Sequence, residues 1–251
     1  MEKNRTIPSI DESLKMVRLV LAVVDEVYPR GEMELDVLYA PVVSLFWRCI
    51  KLQKSLLILL EAKFPEEAFV LARSLFDDAL ILEQMNQAKG DRAEVIYGWL
   101  RNSISEKEGL FREAFRSRLS DDVSNELESV VNEREQLEIF ARMRGVKKPR
   151  PLLTARDAAF NFGRKKDYWS YCLAHEMVHG SDAALSLGRQ RDNQGVFQYT
   201  LQSDKPWIVA AVSGFSARSL LQVSKATASM LGWDCMELLA TVESEVSAFD
   251  L

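Results

Sequence analysis

An all-α fold, a single-domain bundle of about eight or nine helices, follows from three observations on the 251-residue chain. Glycine (11) and proline (7) are scarce, which favours long helices over turn-rich sheet. Apolar residues make up 47% and charged residues 27%, enough for a sizeable core and too apolar for a disordered chain. Apolar positions recur at steps of three and four, the period of a helix with one buried face. No internal repeat, low-complexity tract or linker is visible. The expectation is one helical domain over residues 1–251, closed by a C-terminal helical hairpin at about 204–250.

The first helix opens at Ser9. Ser9 and Glu12 have capping-box spacing, and Leu14, Val17, Leu21 and Val24 form its apolar stripe. Pro29-Arg30-Gly31 ends it. The second helix runs from about Leu35 to Phe64, or starts at Pro41, which falls in its early turns. Val42–Leu60 is apolar on nearly all sides, which predicts a central, buried helix. Phe64-Pro65 breaks it. Pro65 opens a third helix, Glu66–Lys89, where its missing N–H costs little. Gly90 is the expected C-cap and Asp91 the next N-cap. The fourth helix spans roughly Arg92–Leu119, and Ser120-Asp121-Asp122 caps a fifth that ends at Gly145. Arg142–Asp167 reads as loop plus a short helix and leads into a helix carrying Tyr168–Asp182. Arg189–Asp204 reads as loop, with a short extended piece around Val196–Leu201. Pro206 begins a long helix through Leu231, Gly232 stops it, and Asp234 starts a final amphipathic helix.

The net charge is −5 and the pI about 5.3, which argues against a protein coated in nucleic acid but not against a local basic site. One segment, 142–166, supplies that site. Arg142, Arg144, Lys147, Lys148, Arg150, Arg156, Arg164, Lys165 and Lys166 stand there against only Asp157 and the adjoining Asp167. Such a segment would attract RNA, a nucleotide or another phosphorylated partner; the alternative is a solvated loop. Phe160 and Phe162 lie in an Ala-rich helical piece and read as core, not as base-stacking platforms. Cys49, Cys172 and Cys235 make no C-x-x-C pair or disulfide framework, so a reducing, cytoplasmic setting is expected. The N-terminal residues lack the apolar core of a signal peptide. The longest apolar runs, Leu19–Val24 and Leu56–Leu60, fall far short of the ~20 residues a bilayer needs, so no membrane is expected.

Both histidines, His175 and His179, lie in His175-Glu176-Met177-Val178-His179. Four residues are about one helical turn, so both imidazoles share a side. This spacing suits a zinc hydrolase with His175 and His179 as ligands and Glu176 as general base. A third ligand would come from Asp182, Glu237, Glu243 or Glu245, and no spacing selects among them. It equally suits a metal-free site. Tyr168, Tyr171, Cys172, His175 and His179 fall at steps compatible with one helix face. Arg73 and Asp77 form an i, i+4 pair inside an otherwise apolar helix, and a charge there needs a partner if buried. Arginine, carboxylate and histidine meeting between helices would bind phosphate and transfer protons. In a purely structural role, His179 caps its helix before Gly180 and Arg73–Asp77 is an ordinary ion pair. Arg218, in Ser216-Ala217-Arg218-Ser219-Leu220, echoes Ala72-Arg73-Ser74-Leu75; small residues around an arginine suit close helix packing.

Ala72-Arg73-Ser74-Leu75-Phe76-Asp77, followed by Tyr168…Tyr171…His179-Gly180-Ser181, resembles a bacterial all-helical domain family of unknown function. That family pairs an Ala-Arg-Ser-Leu-Phe-Glu-like helix with a Tyr-x-x-x-Ser-x-x-x-His-Gly/Pro-Ser helix. The likeness covers about residues 40–190. The chain departs from it with Asp77 in place of Glu and His175 in place of Ser. The resemblance implies that Arg73 and His179 belong to the motif and that His175 is incidental. More remotely, the layout is similar to the HEPN superfamily of helical ribonucleases and nucleotide-binding proteins. Their Arg-x(4–6)-His pattern has no counterpart here, since no arginine lies four to six residues before either histidine.

Three functions stand as expectations. The first is an RNA- or nucleotide-directed defence or stress protein. In it His179, Arg73, Asp77 and Glu176 are catalytic, and Tyr171, Lys147, Lys148, Arg150, Arg164, Lys165 and Lys166 bind. The second is a zinc-dependent hydrolase using His175, His179 and Glu176. The third is a non-catalytic helical interaction module that self-associates as a homo-oligomer.

Overall fold

The computed structural model describes residues 7–27, 39–117, 123–146, 148–178, 189–191, 197–199 and 205–247; side chains at 177, 178 and in the two short strands are outside the description. Nine α-helices stand among the described residues. They are α1 (Ile10–Val27), α2 (Ala40–Glu61), α3 (Pro65–Gln87), α4 (Arg92–Arg116), α5 (Val123–Met143), α6 (Ala155–Asn161), α7 (Lys165–Val178), α8 (Pro206–Leu231) and α9 (Met236–Ser247). The fold is all-α. One small antiparallel ladder pairs β1 (Arg189–Arg191) with β2 (Phe197–Tyr199), Gln190 opposite Gln198. None of the described helices is long and apolar enough to cross a membrane.

Local chemistry sets most helix ends. Ser9 and Glu12 close a capping box: Ser9 N–H donates to Glu12 Oε2 at 2.8 Å and Glu12 N–H to Ser9 Oγ at 3.2 Å, satisfying two amides that the first helical turn leaves unpaired. Pro41 sits in the first turn of α2, so the later of the two expected starts is the observed one. α3 begins at Pro65 and α8 at Pro206. Gly145 and Gly232 end α5 and α8 in the left-handed region, at φ +69° and +71°, which glycine enters without a Cβ penalty. The turn after α3 differs from expectation. Lys89, not Gly90, takes positive φ (+41°), and Lys89–Asp91 forms one 3₁₀ turn. Asp91 precedes α4 but makes no capping bond; its carboxylate accepts from Arg150 Nη1 at 3.1 Å instead. The final helix starts two residues after Asp234, at Met236. The expected signals Pro29–Gly31 and Ser120–Asp122 lie outside the described residues.

Described residues up to Glu83 and from Thr154 onward form one compact unit, and Gln84–Leu153 a second. The larger unit is built around α8, not around α2 as the apolar run predicts. α2 buries one face, with Phe46, Cys49, Gln53 and Leu56 inside, while Lys51, Lys54 and Ile58 are exposed. Helix α8 packs on α1, α2, α7 and α9, and 18 of its 26 residues are buried. Five of those are Ser or Thr, which hides the helix from an apolar-run reading. Three of those hydroxyls, on Ser216, Ser219 and Ser224, are hydrogen-bonded, while Ser213 Oγ and Thr227 Oγ1 have no partner among the described residues. Ser219 Oγ donates to Phe215 O and Ser224 Oγ to Leu220 O, both at 2.8 Å. Ser216 Oγ accepts from Gln53 Nε2 at 3.1 Å. A hydroxyl bonded back to its own helix leaves a small, satisfied surface against which neighbours pack closely. Phe215 supplies the bulk, its ring 6.0 Å from Phe69 and 5.1 Å from Phe76.

In the smaller unit α4 and α5 pack together. Buried Glu108 accepts from Arg112 Nη2 at 2.5 Å and Arg134 Nη1 at 2.7 Å. The segment after α5 then crosses α4. Arg150 N–H donates to Glu94 O at 3.1 Å, and Leu153 N–H to Gln84 Oε1 at 2.6 Å. Gly98 makes that crossing fit, because a Cβ there would lie 2.3 Å from Arg150 O. Backbone cannot yield as a side-chain tip can. Gly98→Ala should therefore destabilise the protein by about 1–3 kcal/mol. Gly109→Ala, on the same helix with nothing within 4 Å, should stabilise it by up to about 1 kcal/mol through helix propensity. Denaturant midpoints of the two variants, followed by circular dichroism, check the opposite signs.

Candidate functional site

Two polar clusters meet inside the larger unit, on either chain side of Phe76. The first is on α3. Arg73 and Asp77 stand one turn apart, and α7 brings Tyr171 onto both. The Arg73 guanidinium carbon lies 5.1 Å from the Tyr171 ring centroid, and the Tyr171 hydroxyl hydrogen-bonds the Asp77 carboxylate. Burial pushes the Asp77 carboxyl above its ordinary value, while Arg73 and Tyr171 pull it back. Arg73 Nε is buried and has no hydrogen-bond partner among the described residues. A buried donor left without an acceptor costs free energy, and this N–H is such a donor.

Asp78, the next residue, extends the cluster toward α2. Its carboxylate accepts from Arg48 Nη1 at 2.8 Å, and Cys49 Sγ lies 3.8 Å from its Oδ2. Burial pushes Asp78 up to about 6; Arg48 pulls it down and the adjacent Asp77 pushes it further up. Burial, followed by the Asp78 charge, raises the Cys49 thiol well above its usual range, so it is a packing group and not a thiolate nucleophile. Arg48 and Asp78 carry no local sequence signal, and Cys49 stands out in sequence only as one of three isolated cysteines. Asp78 was hidden as the second of two aspartates whose helical directions differ by about 100°.

The second cluster is an arginine–aspartate–arginine bridge. Asp167, in the first turn of α7, is 4% exposed. Its Oδ2 accepts from Arg164 Nε at 2.5 Å and its Oδ1 from Arg218 Nε at 2.9 Å. Arg164 also lies over the Phe76 ring, 5.0 Å from the centroid, and Phe76 is 5.7 Å from Tyr171. One aromatic pair thus separates the two half-buried arginines, Arg73 and Arg164. Gly214 gives Arg218 its room: a Cβ there would sit 3.1 Å from Arg218 Nη1. The Arg218 echo was visible in sequence, but its partner, 51 positions away, was not. Asp167 was legible only as a charge opposing the basic segment.

The other predicted residues are placed as follows. His175 and Glu176 lie on the exposed side of α7. His179, with Gly180 and Asp182, lies outside the described residues, as does Lys147. Glu237, Glu243 and Glu245 are exposed on α9. Among the described residues no group of three or more His, Cys, Asp or Glu is placed to hold a metal ion. The basic segment divides between the two units. Lys148 and Arg150 belong to the smaller one, with Arg150 paired to Asp91; Arg164, Lys165 and Lys166 belong to the larger. Phe160 is not core as expected but 46% exposed. Arg156 and Lys165 place their charges 5.9 and 5.6 Å from its ring centroid, and Tyr168 meets it edge-on at 5.9 Å. Trp169, one turn after Lys165 on the same face of α7, is 68% exposed.

Residues 39–196 match the family of unknown function DUF5677. No curated protein and no solved structure matches the chain.

Asp167→Asn leaves two half-buried or buried guanidiniums without their shared counter-charge, and should cost about 3 kcal/mol or more of stability, read as a fall in thermal midpoint. Asp78 acts through pH. Its folded value lies above the ordinary 3.8, so the folded state holds the proton more tightly. Its stabilising contribution is complete below about pH 4 and is lost as pH rises through about 6. Asp78→Asn should therefore be more stable than wild type at pH 7, on the order of 2 kcal/mol, with the gap closing by pH 4. Melting curves of both proteins from pH 4 to 7 check this, and a gap independent of pH contradicts it.

Proposed function

We propose the following for this chain, which belongs to the family of unknown function DUF5677: it is an RNA- or nucleotide-directed protein that stacks a base on α6 and takes a phosphate toward the Arg73–Asp77–Tyr171 cluster. The observation that carries the reading is Phe160. The ring meets Tyr168 only edge-on and leaves its surface exposed between two cations, the composition of a single-strand stacking platform. Lys165 and Trp169 continue the same cationic and aromatic character along α7. The open Arg73 Nε supplies a donor for a phosphate oxygen. Asp77, raised by burial, exchanges its proton closer to neutral pH than an exposed aspartate. His179, which follows Val178 in sequence, is the proposed acid–base group. A defence or stress role fits such an activity.

The test is binding and cleavage of a short single-stranded RNA. Wild type should bind it at low salt. Phe160→Ala should weaken binding about 5- to 100-fold, the effect of losing one base stack. Lys165→Ala should reduce the slope of log affinity against log salt by about 0.7. Arg73→Ala should weaken binding, and His179→Ala should bind but not cleave, while His175→Ala cleaves as wild type. Absence of RNA and nucleotide binding, or full binding by Phe160→Ala, sinks the proposal.

A further inference from the structure

A cleft of about 410 Å³ opens in the larger unit beside the arginine–aspartate–arginine bridge, at the small end of the range typical of ligand pockets. Its wall carries Arg164 and Arg218 from the bridge, Gln222 and Lys225 from α8, Glu83 from α3 and Glu243 from α9. Two wall residues hold buried polar atoms without a partner among the described residues: Arg164 Nη1, a donor, and Gln222 Oε1, an acceptor. The rest of the Arg164 guanidinium is occupied. Nε faces Asp167 and Nη2 reaches Ser219 Oγ at 3.5 Å. Both atoms belong to residues of one cleft wall, and an unpaired donor and an unpaired acceptor there match a ligand that offers both an acceptor and a donor.

Charge narrows the class. The lining carries four cations, Arg164, Lys166, Arg218 and Lys225, against three carboxylates, Glu83, Asp167 and Glu243, a formal balance of +1. Lys225 is neutralised by its ion pair with Glu243. Glu83 acts on the bridge, where its charge favours the charged Arg164 guanidinium. One positive charge remains in a partly dry setting, where an opposite charge counts for more than in water. A doubly charged anion would meet Glu83 and Glu243 without enough cation to offset it.

We propose that this cleft is a second binding site, distinct from the α6–α7 surface, for a small, singly charged organic oxyanion that carries a hydrogen-bond donor. The oxyanion accepts from Arg164 Nη1 and its donor reaches Gln222 Oε1. Arg218 and Asp167 hold Arg164 in place and make no contact with the ligand that the proposal requires.

Two probes separate the sources of that chemistry. Adenosine 3′,5′-cyclic monophosphate is a phosphodiester monoanion with hydroxyl and amino donors. N-acetylglycine is a carboxylate monoanion with an amide donor. Titration calorimetry on the full chain should detect at least one of them, and the one bound identifies the oxyanion. Gln222→Leu keeps the side-chain bulk and removes the open acceptor, and should weaken that probe about tenfold, the equivalent of about 1.4 kcal/mol. Lys166→Ala should weaken it too, and Phe160→Ala should leave it unchanged, so loss of RNA binding and loss of this site are told apart. Neither probe binding at about 10 mM, beyond the weak limit of useful affinity, overturns the proposal. So does binding that Gln222→Leu and Lys166→Ala both leave within about twofold.

Discussion

Asp167 is the interaction on which the larger unit depends. A buried carboxylate is costly unless both oxygens are used, and here each oxygen faces its own arginine. That requirement fixes three things at once. The turn before α7 must deliver Arg164, the first turn of α7 must deliver Asp167, and α8 must present Arg218 at the same depth. Once they meet, the register of α7 against α8 is set, because a shift of one residue would rotate an arginine by about 100° out of reach. Gly214 and the buried serines of α8 follow from the same demand, since a bulkier helix surface could not come this close.

The setting of α7 has consequences for the first cluster. Tyr171 is one turn beyond Asp167, so the register that pairs Asp167 also places Tyr171 over Arg73 and against Asp77. Phe76 then lies between Arg164 and Tyr171. Polar groups on α3 and α7 are therefore held by a mainly aromatic lattice, and burial raises the proton affinity of Asp77 and Asp78. In a family of unknown function, this shared framework is the feature that links the Ala-Arg-Ser-Leu-Phe-Asp helix to the tyrosine helix.

How much of this was legible in sequence depends on the range of each signal. Helix boundaries written by neighbours were readable: the Ser9–Glu12 box, Pro65, Pro206 and Gly232 each act within one turn. Arg73 with Asp77 was readable for the same reason. The bridge was not, since nothing local marks Asp167 and Arg218 as partners, and a +7 segment looks like surface even though Arg164 within it is half-buried. The central helix was misassigned because hydropathy ranks serine as polar, while a serine bonded to its own backbone packs as a small neutral group. Phe160 went the other way: an Ala-rich helix implied a core, but α6 is only two turns long and leaves one side uncovered. The position of His179 lies outside the described residues, so the histidine half of the motif stays a sequence inference.

The central place of α8 carries a consequence for the order in which the chain can fold. α1 packs chiefly on α8, yet roughly 180 residues separate the end of α1 at Val27 from Pro206. At typical synthesis rates of about 5–20 residues per second, α1 emerges roughly 10–40 s before its partner exists. During that interval its apolar stripe, Leu14, Val17, Leu21 and Val24, has only α2 as a native neighbour. The larger unit is thus closed by nearly its last helix, while Gln84–Leu153, local in sequence, can form while the rest is still being made.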